Sequence, residues 1–348
     1  MTFQERRTKC FSWVAALACL LVSTAAAQQL DDPGKPPPLT LRTRIALPGV
    51  YGRIDHLGWD SKRGILLVSA LGNDTVEVVD SWKRVRSLTG LEHPQASLYI
   101  PGLDRIAVSS QSGKLRFYDA ATYALIKTLD FGAGADTDNL RYDAATKRLY
   151  VAYGERERGA LAAVDPVSME RLEEVRLGSH PESFQLEQNG SRIFVNLPDQ
   201  EGMAVIDRKT AAVTKWKIPG ATNNHALALD ETRHRLFTAS LQPGRLSVVD
   251  TESGAVLASL PCSLGVDDLW LDAARLYAPG AGTVDIFATD GTPAALAHVA
   301  VGVGAGSTSL HLKTRTQNSL YMSWPNMLPQ GGSEILLFYV NDFRASDQ

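Results

Sequence analysis

Seven short polar clusters recur along the chain: Asp55-His56, Gln95-Ala96-Ser97, Asp138-Asn139, Glu182-Ser183, Asn224-His225, Asp267-Asp268 and Thr308-Ser309. Their ionisable members are the side chains best suited to chemistry. Five carboxylates (Asp55, Asp138, Glu182, Asp267, Asp268) and two imidazoles (His56, His225) come from five of the clusters. Gathered in space, such an oxygen-rich set suits a hard cation, Ca²⁺ or Mg²⁺, with Asp55, Asp138, Glu182 and Asp267 as its ligands. His56 and His225, with Glu182 between them in order, could instead bind a transition metal, or be the acid and base if the protein is an enzyme. Asn139, Asn224 and Asp268 complete the candidate ligand-binding set. The same residue types also cap backbone N–H groups at strand starts and tie neighbouring elements together. Both roles stay open, although capping alone calls for neither histidine nor the tandem Asp267-Asp268.

What must position these clusters is a repeat. Each precedes an apolar mark: Leu57, Leu98, Leu140, Phe184, Leu227, Leu269 and Leu310. Subtracting successive positions gives gaps of 41, 42, 44, 43, 42 and 41 residues. The clearest copy, Asp138 to Ala152, alternates apolar and polar residues on either side of a turn at Asp143 to Lys147. That is a hairpin pattern. A second strand recurs, as in Ile65 to Ala70 and Leu149 to Ala152, then a third that commonly ends in Asp, as at Asp80, Asp119, Asp165, Asp207 and Asp250. The Asp carboxylate can accept from N–H groups two residues on and fix the next turn. Fourth strands follow, such as Leu125 to Leu129 and Val256 to Leu260.

A period near forty with four strands per unit predicts an all-β, seven-bladed β-propeller with four antiparallel strands per blade. The seventh unit lacks a fourth strand, and Leu41 to Leu47 is a strand without a unit. The N-terminal strand is therefore expected to close the last blade, since an open ring would leave unpaired edges. In that architecture the polar clusters and the loops between second and third strands share the face around the central channel mouth, where ligands bind. The largest such loop, Trp324 to Ser333, suits a lid, a partner contact or simple packing.

Residues 1–27 lie outside the repeat. Arg6, Arg7 and Lys9, an apolar run from Cys10 to Val22, and Ala25-Ala26-Ala27 have the layout of a secretory signal peptide, with cleavage expected after Ala27. Residues 28–39 read as a Pro-rich tether, and 40–348 as one propeller domain. The apolar run is too short to span a membrane, and no other spanning segment follows it. Of the three cysteines, cleavage would leave only Cys262, so packing alone would hold the exported fold. The formal charge of −3 becomes −5 once the net +2 of Glu5, Arg6, Arg7 and Lys9 is removed. Such a chain has no general attraction for nucleic acid or anionic lipid.

The strand copies Leu149-Tyr150-Val151-Ala152 and Ile193-Phe194-Val195-Asn196 carry a resemblance to the YncE/YVTN family of bacterial β-propellers, from about Leu41 to Phe343. The resemblance implies a periplasmic or secreted protein, with binding or surface roles predominating. The same fold also hosts lactonases and lyases. The first expectation is thus a binding module using the acidic mouth for a small molecule, a metal ion or an envelope protein's basic group. The alternative is a metal-assisted lactonase or lyase. No phosphate loop, zinc-protease helix, Cys-x-x-Cys or Gly-x-Ser-x-Gly elbow is present. His93 and His180 read as structural loop residues, and His234, His298 and His311 as residues of turns or outer strands.

Overall fold

The computed structural model describes residues 36–341, so the expected signal peptide, residues 1–27, and most of the expected tether lie outside the described residues. Seven sheets of four antiparallel strands follow one another, each ordered sequentially from its innermost strand outward, with one exception described below. The inner strands are Leu57–Asp60, Pro94–Ile100, Thr137–Asp143, Phe184–Leu186, Asn224–Asp230, Trp270–Asp272 and Ser309–Lys313. Six apolar marks fall within them, and Leu269 sits one residue ahead of the sixth.

The exception is the splice. Leu39–Pro48 pairs antiparallel with Gly332–Val340, with Ile45 opposite Ile335, and becomes the outer strand of blade 7. Ile45 and Leu47 are buried at 1% and 0% exposure, so the splice is held by core packing as well as by its ladder. Seven buried apolar layers fill the seams between adjacent blades; the seam of blades 7 and 1 joins Ile45, Leu47, Leu57, Leu66, Tyr321 and Leu337. Every blade packs on two neighbours, which closes the disc.

The strand-end aspartates do what their position calls for. Asp119 Oδ1 accepts from the N–H groups of Ala121 and Thr122 at 3.1 and 2.8 Å. Asp207 Oδ1 accepts from those of Lys209 and Thr210 at 2.9 and 2.8 Å, and Asp250 Oδ1 from those of Glu252 and Ser253 at 3.1 and 2.8 Å. Asp165 Oδ1 accepts from the Val167 N–H at 2.8 Å. Each carboxylate offers the turn an acceptor that its own carbonyls cannot supply. Blade 1 differs: Ser81 and Trp82 turn the chain at φ 46° and 66°, and Asp80 accepts only from the Ser81 hydroxyl at 2.9 Å.

The polar clusters do not all precede their strands. In blades 2, 3 and 5 the pairing register shifts between Pro94 and Ser97, between Thr137 and Leu140, and between Asn224 and Ala226. Gln95, Asp138, Asn139 and His225 therefore occupy bulges at the starts of inner strands. A bulge breaks the alternation and re-aims side chains that would otherwise point into a seam.

Candidate functional site

The mouth gathers side chains from distant parts of the chain. Arg53 Nη2 lies 3.1 Å from Asp55 Oδ2 and 3.8 Å from Asp267 Oδ2. Asp55 pulls hardest on its charge, and Asp267, Asp138 and Glu182 add to that, so the guanidinium pKa is raised although partial desolvation works against it. One cation thus feels carboxylates of blades 1, 3, 4 and 6. The four acids proposed as metal ligands do not form one cage, however. Asp55 and Asp267 share Arg53, while Asp138 and Glu182 meet a residue read from the sequence as structural, His180.

Ligand atoms of Asp138, His180 and Glu182 all lie within 4.8 Å of one another. Asp138 is 6% exposed, and its Oδ1 has no hydrogen-bond partner. His180 Nδ1 donates to the Gly154 carbonyl at 2.8 Å, which leaves Nε2 facing Glu182 Oε1 at 3.4 Å. A backbone carbonyl on one ring nitrogen and an acidic pit before the other is how metal-binding imidazoles are commonly held. Local backbone makes this placement available: a Cβ on Gly159 would stand 1.7 Å from the Ser179 carbonyl oxygen, so only glycine lets the His180 loop lie this close.

His225 Nδ1 approaches the same Glu182 Oε1 at 3.4 Å and Asp267 Oδ1 at 3.8 Å. His56 Nδ1 stands 3.3 Å from Asp268 Oδ1, and its Nε2 stands 3.9 Å from Asp55 Oδ1. Asp268 is also a clasp, its Oδ2 accepting from the Ser309 N–H at 2.7 Å and tying blade 6 to blade 7.

Burial and mutual repulsion set the titration of the group. Burial raises the Asp138 pKa well above the carboxylate range, with Glu182 adding to it, and burial lifts Asp267 to about 7. Asp55 is raised chiefly by burial as well. Burial also acts on Glu182, but His180, His225 and His56 overcome it and hold that acid below its usual value. The imidazoles divide. Burial opposes the charging of His180, but Glu182 and Asp138 prevail and lift it to about 10. His56, facing Asp268, Asp55 and Asp138, is likewise raised, whereas burial keeps His225 low and neutral.

Two more charges join from positions the sequence reading passed over. Arg141, in the inner strand of blade 3, feels Asp268 and Asp138, though burial depresses its pKa. Asp136 feels His180 and Glu182 and accepts from Gln95 Nε2 at 2.8 Å. Six carboxylates then face Arg53, Arg141, His56 and His180, an excess of two negative charges when all are ionised. Uncompensated buried charge of that size costs several kcal/mol per ion, which protonation or a bound cation relieves.

Other members of the ring tie strands and blades together, though the buried Asn224 Oδ1 has no partner. Asn224 Nδ2 donates to Asn196 Oδ1 at 2.8 Å and to the Gly202 carbonyl at 3.0 Å, so its amide joins blades 4 and 5. Ser97 bonds Ser69 at 2.9 Å, and Thr308 bonds Ser323 at 2.8 Å. Asn139 is buried beside Asp138 at 2% exposure. His311, read as part of a turn or outer strand, is instead in the inner strand of blade 7, stacked on Tyr277 at 5.5 Å.

Fold and repeat together define a seven-bladed, WD40-like β-propeller. A stretch of 110 residues is 29% identical to human WD repeat-containing protein 3, covering 30% of this chain and 11% of that protein. The chain thus spans only a small part of that relative's length. No protein-family model matches the chain.

Proposed function

We propose that this propeller is a binding module whose channel mouth takes a divalent cation between Asp138, His180 and Glu182. The observation that carries the reading is the Asp138 carboxylate, buried, with an oxygen that nothing bonds, beside a second acid and an oriented imidazole. The mixed oxygen and nitrogen set moves the preference from Ca²⁺ or Mg²⁺ toward a borderline ion such as Mn²⁺ or Zn²⁺. A bound ion would offset the excess charge and present open coordination positions to a small ligand or to a partner's side chain. Metal analysis of chelator-free protein, followed by Mn²⁺ and Zn²⁺ titration of the wild type and of Asp138→Asn/Glu182→Gln, tests it. Stoichiometric binding lost in the double variant is expected; no binding in the wild type overturns the reading.

One observation favours a catalytic version, a metal-assisted lactonase or lyase. His225 stays neutral between Glu182 and Asp267, as a proton acceptor must. A lactone and lyase substrate panel against the metal-loaded wild type and His225→Gln tests this. Turnover that survives the substitution removes His225 from the chemistry. Export and a periplasmic or secreted location are inferred from residues 1–27, and mass measurement of the mature N-terminus, expected at Gln28, checks them.

A further inference from the structure

A second site lies away from the mouth, in the seam where the splice strand closes blade 7 against blade 1. There a cavity of about 530 Å³ opens among the turns that follow Asp60, Asp80 and Thr314, within the usual range for small-molecule pockets. The cleft lined by Tyr150, Ile193 and Arg208, between blades 3 and 4, encloses only about 170 Å³. There Arg208 is spent on Asp143 and on the Glu187 and Gly190 carbonyls.

The wider seam is built differently. Its floor is apolar, and Trp59 and Tyr321 form an aromatic wall with ring centroids 6.3 Å apart. Arg42 is the extra residue where the splice strand's register shifts between Leu41 and Thr43. Its guanidinium stacks on Trp82 at 4.5 Å and on Tyr339 at 4.7 Å. Among the described residues no carboxylate pairs with it. The other lining arginine, Arg63, is held by Asp60 and Asp104, and the lining acid Asp80 accepts from Ser81. Stacking fixes the guanidinium plane while leaving its in-plane donors open to a planar anion. Below it, Ser319 is fully buried and lines the cavity, yet its hydroxyl has no partner.

We propose that this seam is a binding site for a small planar aromatic carboxylate. The ring lies along Trp59 and Tyr321, and the carboxylate takes the Arg42 fork. None of this depends on the metal at the mouth.

The test uses 2-naphthoate against the full chain, followed by calorimetry and by the emission of Trp59 and Trp82. Saturable one-to-one binding is expected, weakened at least about tenfold in Arg42→Met, as loss of a charge-assisted pair predicts. The neutral 2-naphthalenemethanol should bind about tenfold more weakly to the wild type for the same reason. The proposal is overturned by no saturable binding at millimolar naphthoate, by equal affinity in folded Arg42→Met, or by equal affinity for the neutral analogue.

Discussion

His180 Nε2 stands 3.4 Å from Glu182 Oε1, two residues along the same loop, while its Nδ1 is anchored to the Gly154 carbonyl. With its pKa lifted to about 10, the imidazole carries a proton on Nε2 at neutral pH. A metal ion bound there must displace it. Asp138, whose pKa burial also raises, must give up its proton too, so calorimetry with Mn²⁺ in buffers of differing ionisation enthalpy should report release of more than one proton per ion at pH 7.5. In His180→Gln that release should fall by about one proton and affinity should fall at least about tenfold.

Arg53 offsets the acids from the solvent side, being exposed while Asp55 is 1% exposed. Arg53→Gln should lower the melting temperature of metal-free protein, because Asp55 loses its counter-charge. It should also tighten divalent binding roughly three- to tenfold, the sign and scale expected when a nearby cation is removed. Weaker metal binding in this variant would mean that Arg53 helps to build the site rather than to compete with the ion.

Stability should peak on the acid side of neutrality. Asp207 is held at about 2 by the Ser191 hydroxyl and the Thr210 N–H, and Asp119, Asp165 and Asp250 are lowered by like bonds in their turns. Their contribution is present above the unfolded value of 3.8 and lost as pH falls through the folded value. Asp267 has the opposite sign. Raised by burial to about 7, it keeps in the fold a proton that the unfolded chain releases near 3.8, so its contribution declines as pH rises above 3.8 and is gone above about 7, and the raised Asp138 and Asp55 act in the same direction. His180 adds to that alkaline loss as pH climbs from 6.5 toward about 10. His225, buried neutral, works the other way below 6.5, one group against these. Melting temperatures of metal-free protein should therefore be highest at about pH 4 to 5. A steady rise to pH 8.5 would contradict the assignment, and saturating Mn²⁺ should flatten the alkaline fall.

Ring closure makes the splice strand indispensable. Leu47, fully buried, should cost about 2 to 5 kcal/mol when cut to alanine, measured by denaturant unfolding. Deleting Leu39–Pro48 should abolish the cooperative transition, since Gly332–Val340 would become a bare edge over an open seam. Unchanged melting after the deletion would refute closure by this strand.

The fold was legible because the repeat is written seven times. A mark such as Leu140 or Phe184 faces a seam in every blade, and the aspartates after third strands answer a turn requirement that recurs with it. The site was legible in part, for a physical reason. Register places Asp138 and Glu182 near one another, but it cannot say which carboxylates share a counter-ion, and Asp55 and Asp267 meet Arg53 instead. His180 was passed over because counting along the chain placed it outside the ring. It is the close approach permitted at Gly159 that folds its loop inward. Arg141 directly follows the mark Leu140, opposite in the strand's alternation, a signal that was present but unused. Asn224 gives its Nδ2 to Asn196 while its buried Oδ1 has no partner, a division that residue type alone does not announce.

The most direct measurement is anomalous diffraction from crystals soaked in MnCl₂. The account predicts one strong peak at the channel mouth in the wild type, bonded by Asp138, His180 and Glu182, and no such peak in Asp138→Asn/Glu182→Gln. An empty mouth in the wild type, or manganese only at other carboxylates, would contradict it.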